Sequence, residues 1–311
     1  MSENFYTNII LKGDTLYLRA ISNGKRIMEK IKYKPTLFVP TKKKTKYKTL
    51  TGTTVEPVKF NSIYQARDFL KNYQEQPDLV YGQERFQYCY ISDNYPGIIE
   101  WNQDKILTLS LDIEVASENG FPDPNLAEEE VLAITVKNYT TKKTRDDVDY
   151  VHCEDEEELL REFVSFMESV QPDVITGWNT TFFDIPYLCL RIKKLFGNKF
   201  MQTLSPWRVV TEEHTSTFGR DVTRYNIWGV SNLDYLDLYK KFTYTDQESF
   251  TLDNIAFVEL GTKKDPNPYD TFKEWYTKDY QSFIDYNIKD VELVDALENH
   301  LGMIQLMFTM A

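Results

Sequence analysis

Four acids stand in three short motifs whose spacing can gather them at one point. They are Asp112 and Glu114 in Leu111-Asp-Ile-Glu114, Asp184 in Gly177-Trp-Asn-Thr-Thr-Phe-Phe-Asp184-Ile-Pro-Tyr187, and Asp290 in Tyr286-Asn-Ile-Lys-Asp290. Converging carboxylates with no interleaved cation offer hard oxygen donors, which suit divalent ions such as Mg²⁺. Two such ions roughly 3.5–4 Å apart stabilise the attacking and leaving oxygens of an in-line phosphodiester displacement. One carboxylate must then bridge both ions, and Asp112 is the natural choice. Glu114 and Asp290 complete one shell, and Asp184 holds the other. Tyr286 would orient the attacking water. The chemistry is that of a hydrolytic nuclease needing two Mg²⁺, with Mn²⁺ able to substitute.

Local structure has to aim these groups. The run 106–114 reads as a strand, so Asp112 and Glu114 at i and i+2 share a face. Leu109, Leu111, Ile113 and Val115 take the other, apolar face. Asp184 opens an amphipathic helix marked by Ile185, Leu188, Cys189, Ile192 and Leu195 and stopped by Gly197. Tyr286 and Asp290 are i and i+4 on a long helix starting near Lys278, which again puts them on one face. Around them the pattern predicts an antiparallel partner strand at 131–137 and a third strand near 148–152. An amphipathic helix follows at 156–170, its acidic first turn matched to the helix dipole. Next come a short buried strand at 173–177, a long hairpin between Trp207 and Trp228 with its tip at Gly219-Arg-Asp221, and a strand rim at 232–239. In that rim Asp234 and Asp237 alternate with Leu233, Leu236 and Leu238. Strands first, then helices alternating with strands, give a mixed α/β sheet of ribonuclease-H-like type.

The 311 residues carry a net charge of −12, split unevenly. Residues 1–103 carry +6 and residues 104–311 carry −18. The basic part reads as a smaller α+β domain. Its strands are expected at 17–21, 26–33 and 35–39, with a hairpin turn at Asn23-Gly24 and a short helix capped by Ser62. A boundary near Trp101 to Asp104 yields domains 1–103 and 104–311. The basic run Thr41 to Lys48 offers Lys42, Lys43 and Lys44 as nucleic-acid contacts. The apolar end, Leu301 to Ala311, reads as a helix that returns to the N-terminal domain or as the point where a longer chain continues. Three cysteines without ligand spacing point to reduced thiols. No apolar run reaches about 18 residues and no signal-peptide pattern opens the chain, so a soluble, unexported protein is expected.

The order Asp-Ile-Glu, then Gly-Trp-Asn-x-x-x-Phe-Asp-x-Pro-Tyr, then Tyr-x-x-x-Asp resembles the three proofreading exonuclease motifs of family-B DNA polymerases. The resemblance is in particular to the T-even-type bacteriophage enzymes and spans essentially the whole chain. Phage-like detail includes Tyr90-Ile-Ser-Asp93, Gly120-Phe-Pro-Asp-Pro124 and Asp234-Tyr-Leu-Asp-Leu-Tyr-Lys-Lys241. It implies a 3′–5′ exonuclease of the DEDDy branch acting on single-stranded or primer–template DNA at frayed 3′ ends. No His stands in the four or five positions before Asp290, so the histidine branch fits poorly. The resemblance also implies that Phe121 wedges against terminal bases, that Asn179 binds the terminal nucleotide or positions the second motif, and that Phe183 is either a further DNA contact or core. The hairpin tip around Arg220 would help part primer from template. One departure is clear: Pro266 stands before Asn267-Pro-Tyr-Asp270, where the phage relatives tend to carry Lys. Lys263 and Lys264 are the nearest basic residues. Nucleotide-addition motifs such as Ser-Leu-Tyr-Pro-Ser are absent from these residues. The polymerase portion, a sliding clamp and other replication proteins are expected as partners, in the cytoplasm of an infected bacterial host. Two other readings are an RNA-binding translational regulator working through the N-terminal domain and a stand-alone DEDD exoribonuclease.

Overall fold

A computed structural model describes residues 4–117, 120–138, 153, 155–217, 220–263 and 267–311, with the side chains of 217, 220 and 221 left aside. The strand expected near 148–152 lies outside the described residues. The chain divides into two compact units, Met1–Lys105 and Ile106–Ala311.

In the first unit β1 (Asn4–Lys12), β2 (Thr15–Ser22) and β3 (Lys25–Ile31) form an antiparallel meander. The β2–β3 turn uses Asn23 and Gly24 at φ 51° and 74°, the left-handed pair that a two-residue hairpin requires. A second ribbon pairs β4 (Thr36–Pro40) with β5 (Val55–Lys59). Two helices follow, α1 (Ile63–Lys71) and α2 (Phe86–Asn94). Ser62 caps α1 by accepting from the Gln65 N–H. Leu16, Leu37, Ile63, Ala66 and Phe86 form the core of this unit.

The second unit opens with β6 (Thr108–Val115) and β7 (Val131–Asn138), followed by α3 (Glu156–Val170) and β8 (Val174–Gly177). Then come α4 (Asp184–Phe196), the short α5 (Asn198–Met201), the hairpin of β9 (Val210–Thr217) and β10 (Arg220–Ile227), and β11 (Ser231–Asp234). Five helices finish it: α6 (Tyr235–Phe242), α7 (Leu252–Leu260), α8 (Phe272–Lys278), α9 (Tyr280–Leu301) and α10 (Met303–Met310). The sheet order is β11-β8-β6-β7, with β7 antiparallel and the other three parallel. Period-two alternation gives β6 two distinct faces. Leu109, Leu111, Ile113 and Val115 enter one core with Leu160, Phe163 and Val164 of α3 and Ile185 and Leu188 of α4. Thr108, Ser110, Asp112 and Glu114 therefore look the other way, and α9 packs against β6 and β7.

Met303 and Ile304 of α10 bury with Tyr235, Leu238, Leu293 and Leu297, so the last helix completes a second core inside its own unit. Among the described residues, no helix is long and apolar enough to cross a membrane.

Candidate active site

Asp112 and Glu114 sit near the C-terminal end of β6, opposite Thr135 and Ala133 of β7. Helix α9 presents Asp290 to them. Ligand oxygens of Asp112, Glu114 and Asp290 all lie within 4.8 Å of one another. Asp290 is 8% exposed, so its carboxylate is held in a largely desolvated position. Three carboxylates this close repel unless a proton or a cation lies between them. An all-oxygen, all-acidic donor set of this kind fits a hard divalent ion.

Asp184 reaches the same end of β6 from a different direction. β8 stops at Gly177, which pairs with Asp234, and the chain leaves the sheet through 178–183 before α4 begins at Asp184. Asp184 is 2% exposed and accepts the Ile113 N–H at 3.2 Å, directly between the two acids of β6. It stands outside the trio of mutually close oxygens. Burial pushes its carboxyl up to about 8; Asp234 and Asp290 add repulsion, while the Ile113 N–H pulls the other way. A folded-state carboxyl raised above its unfolded value near ~3.9 keeps a proton that the unfolded chain releases. Stability of the metal-free protein should therefore fall as pH rises from about 4 towards 8. Asp184→Asn has no proton to lose, so it should flatten that fall and raise Tm at pH 8 in the presence of chelator. Each kcal/mol relieved moves Tm by about 2–4 °C in a unit of this size. An unchanged Tm-versus-pH curve in Asp184→Asn would mean the carboxyl is already ionised in the fold.

The loop that aims Asp184 is organised by an acid expected only at a strand rim. Asp234 ends β11 and its carboxylate accepts the N–H groups of Asn179 (3.0 Å) and Thr181 (2.8 Å). The same carboxylate caps α6 through the N–H groups of Leu236 and Asp237. The alternation at 232–239 is thus a four-residue strand passing into a helix, and Asp237 lies in that helix's first turn. Burial raises the Asp234 carboxyl against the pull of these amides. Asn179 takes a left-handed φ of 70°, and its carbonyl accepts from the Phe182 and Phe183 N–H groups.

The remaining expected residues are spread around this centre. Phe121 is 85% exposed, and its ring meets Phe183 at 5.2 Å with a 45° tilt, while Phe183 packs against the main core. Tyr286 lies one turn before Asp290, its ring against Trp275 at 5.0 Å and Phe272 at 6.1 Å. Arg220 opens β10, while Phe218 and Gly219 of the tip lie outside the described residues, as do Lys264 and Pro266. Lys263 stacks its ammonium over Phe257 at 4.4 Å. In the first unit Lys42, Lys43 and Lys44 are exposed, and Lys43 pairs with Glu56 at 2.8 Å.

Two site residues carried no expectation. Asn287 is fully buried between Tyr286 and Asp290, and its amide donates to Asp112 at 2.5 Å. Thr135 donates to the other end of the same amide. The only signal in the sequence is position: Asn287 is i and i+3 with Asp290 and so shares its face.

The sequence pattern of the exonuclease domain of DNA polymerase family B matches residues 82–255. The chain belongs to that family. The match takes in Asp112, Glu114 and Asp184, and the third motif lies beyond it. The chain is similar to the DNA-directed DNA polymerase of Enterobacteria phage T4, with 33% identity over 99% of this chain and 38% of the relative. It is 31% identical to that of Escherichia phage RB69, over 93% of this chain and 36% of the relative. A DNA polymerase of Archaeoglobus fulgidus is 27% identical over 58% of this chain and 21% of its own length. The chain thus spans under two-fifths of the phage relatives it matches.

Proposed function

We propose that this chain is a DEDDy-type 3′–5′ exodeoxyribonuclease that removes nucleotides from single-stranded or frayed 3′ ends, the proofreading activity of a replicative polymerase. The observation that carries it is the trio of carboxylates within 4.8 Å, set in a chain of the family-B exonuclease. Its second unit is read as a ribonuclease-H-like domain. Asp112, Glu114 and Asp290 would hold one divalent ion, and Asp184 together with Asp112 would hold a second. Mg²⁺ is the natural occupant and Mn²⁺ its substitute. The ions supply Lewis-acid stabilisation of the charge that develops on the phosphate and the leaving oxygen.

The chain's own residues do the rest. Phe121 projects from the Phe183 ring into solvent and offers a face on which a terminal base stacks, a contact indifferent to sequence. The Asn179 loop, tied to Asp234, meets the terminal nucleotide, and Arg220 with Lys42, Lys43 and Lys44 adds phosphate attraction. The hydroxyl of Tyr286 orients the attacking water. Trp275 and Phe272 fix that ring, so Tyr286→Phe removes the hydroxyl and keeps the packing. Its cleavage rate should drop on the order of 10²-fold, as for a positioned hydrogen-bonding group, with Mn²⁺ affinity unchanged. Loss of a metal in Tyr286→Phe would make it a ligand instead. A polymerase portion and a sliding clamp are the partners, in an infected bacterium.

Substrate preference tests the reading. A single strand needs no parting, whereas a paired end must fray at a cost of about 1–2 kcal/mol per base-pair step. With Mg²⁺ the chain should degrade single strands and mismatched 3′ ends roughly tenfold faster than paired ends. Chelator should stop all three. Equal rates on single-stranded and blunt duplex DNA would leave a general nuclease.

A further inference from the structure

We propose that Asn287, steered by Thr135, is a positioning residue that fixes the Asp112 carboxylate in the orientation the metal centre requires. Thr135 and Asp112 are directly opposite one another across the β6–β7 ladder, and Asn287 descends on them from α9. The Asn287 Nδ2 donates to Asp112 Oδ2 at 2.5 Å, and its Oδ1 accepts from the Thr135 hydroxyl. Chemistry dictates which way the amide faces. An ionised carboxylate only accepts, so the NH₂ end must meet Asp112, and the carbonyl end then needs a donor, which Thr135 has. The result is a directed chain, hydroxyl to amide to carboxylate, with no rotational alternative that keeps both bonds.

Such a chain answers a specific difficulty. The last torsion of an aspartate is broad and roughly two-fold, so the carboxylate plane is weakly set by its own backbone. Glu114 and Asp290, within 4.8 Å, push it away from where a shared cation needs it. An amide restrains it without bringing a positive charge that would compete with that cation. It also uses only one of about four lone-pair sites on the carboxylate. The surroundings make the choice of residue informative: Asn287 is 0% exposed on a helix whose buried neighbours are Phe283, Ile284, Asp290 and Val291. An apolar side chain would pack there without needing any partner.

This inference rests on the metal reading above, and one experiment separates the two. Mn²⁺ binding to the full chain is titrated by calorimetry, alongside kcat and the Mn²⁺ concentration giving half-maximal cleavage of a single strand. Groups that orient metal ligands in this way typically contribute 10–100-fold in metal affinity. Asn287→Leu should weaken Mn²⁺ binding by that factor and shift half-maximal cleavage equally. Thr135→Val, which keeps shape and removes only the hydroxyl, should lose less in the same direction. The double variant should bind no more weakly than Asn287→Leu alone, because Thr135 acts through Asn287. Wild-type affinity in Thr135→Val or in Asn287→Leu, or losses that add in the double variant, overturns the proposal. Should Asn287→Leu not fold, Thr135→Val decides by itself. A wild-type chain that binds no Mn²⁺ removes the metal reading, and this proposal with it.

Discussion

Asp112→Ala is expected to leave about a thousandth of the wild-type cleavage rate. The figure follows from the role proposed for Asp112, a ligand that two ions would share. Losing it takes away several kcal/mol of transition-state stabilisation, and about 4 kcal/mol corresponds to a thousandfold. The fold should survive, because β6 is held by ladders to β7 and β8 and by the apolar face opposite the acids. Removing one of three crowded carboxylates also relieves repulsion, which offsets the acceptor that the Asn287 amide loses. Single-turnover rates on a labelled single strand and a Mn²⁺ titration would both read the effect. A folded Asp112→Ala with full activity, or with the full complement of Mn²⁺, would dismiss the two-ion site. Asp290→Ala tests the same centre from the helix side and should be comparably severe.

The acids of β6 were legible because strand alternation sorts them against Leu109, Leu111, Ile113 and Val115, and only one register buries that set. Helix α4 was legible for a similar reason, since its apolar spacing marks one face and Gly197 marks its end. Elsewhere local pattern misled. Leu233, Leu236 and Leu238 alternate with acids as a strand would, yet Asp234 captures the Leu236 and Asp237 N–H groups and turns the chain into α6 after four residues. β1 carried no clean alternation because its pairing with β2 slips between Tyr6 and Asn8. The Thr135–Asn287–Asp112 chain was not legible at all. An amide's role is set by its partners, and these lie 152 and 175 residues away along the sequence. The apolar run of α10 showed that it must be buried but not against what, since burial has no direction in a sequence.

Gly177→Ala is expected to be among the most destabilising single substitutions in the second unit. Gly177 ends β8 at φ 156°, where an added Cβ would lie 2.2 Å from the Leu111 carbonyl oxygen and 2.7 Å from Thr180 Cγ2. The first of these is backbone, in β6, one residue before Asp112. No rotamer change can relieve it, so β8 must withdraw from β6 or the carbonyl must tilt. Overpacking a core costs typically 1–3 kcal/mol. A backbone obstacle puts this case at the upper end, about 3 kcal/mol, or roughly 6–12 °C in Tm for a unit of this size. Activity should suffer even well below the melting temperature. The same displacement moves the peptide that carries Asp112 and the loop that delivers Asp184, and misplaced ligands weaken the ion site. Gly261→Ala supplies the control. It sits just after α7 at φ 70° with nothing within 4 Å of the added Cβ, so it feels left-handed strain alone, about 1–2 kcal/mol. Thermal melts and Mn²⁺ titrations of the two variants should diverge: Gly177→Ala loses stability and metal affinity together, while Gly261→Ala loses less stability and keeps its metal affinity. Equal melting temperatures and equal Mn²⁺ affinities would mean that the close approach of β8 to β6 is not what holds the acids in place.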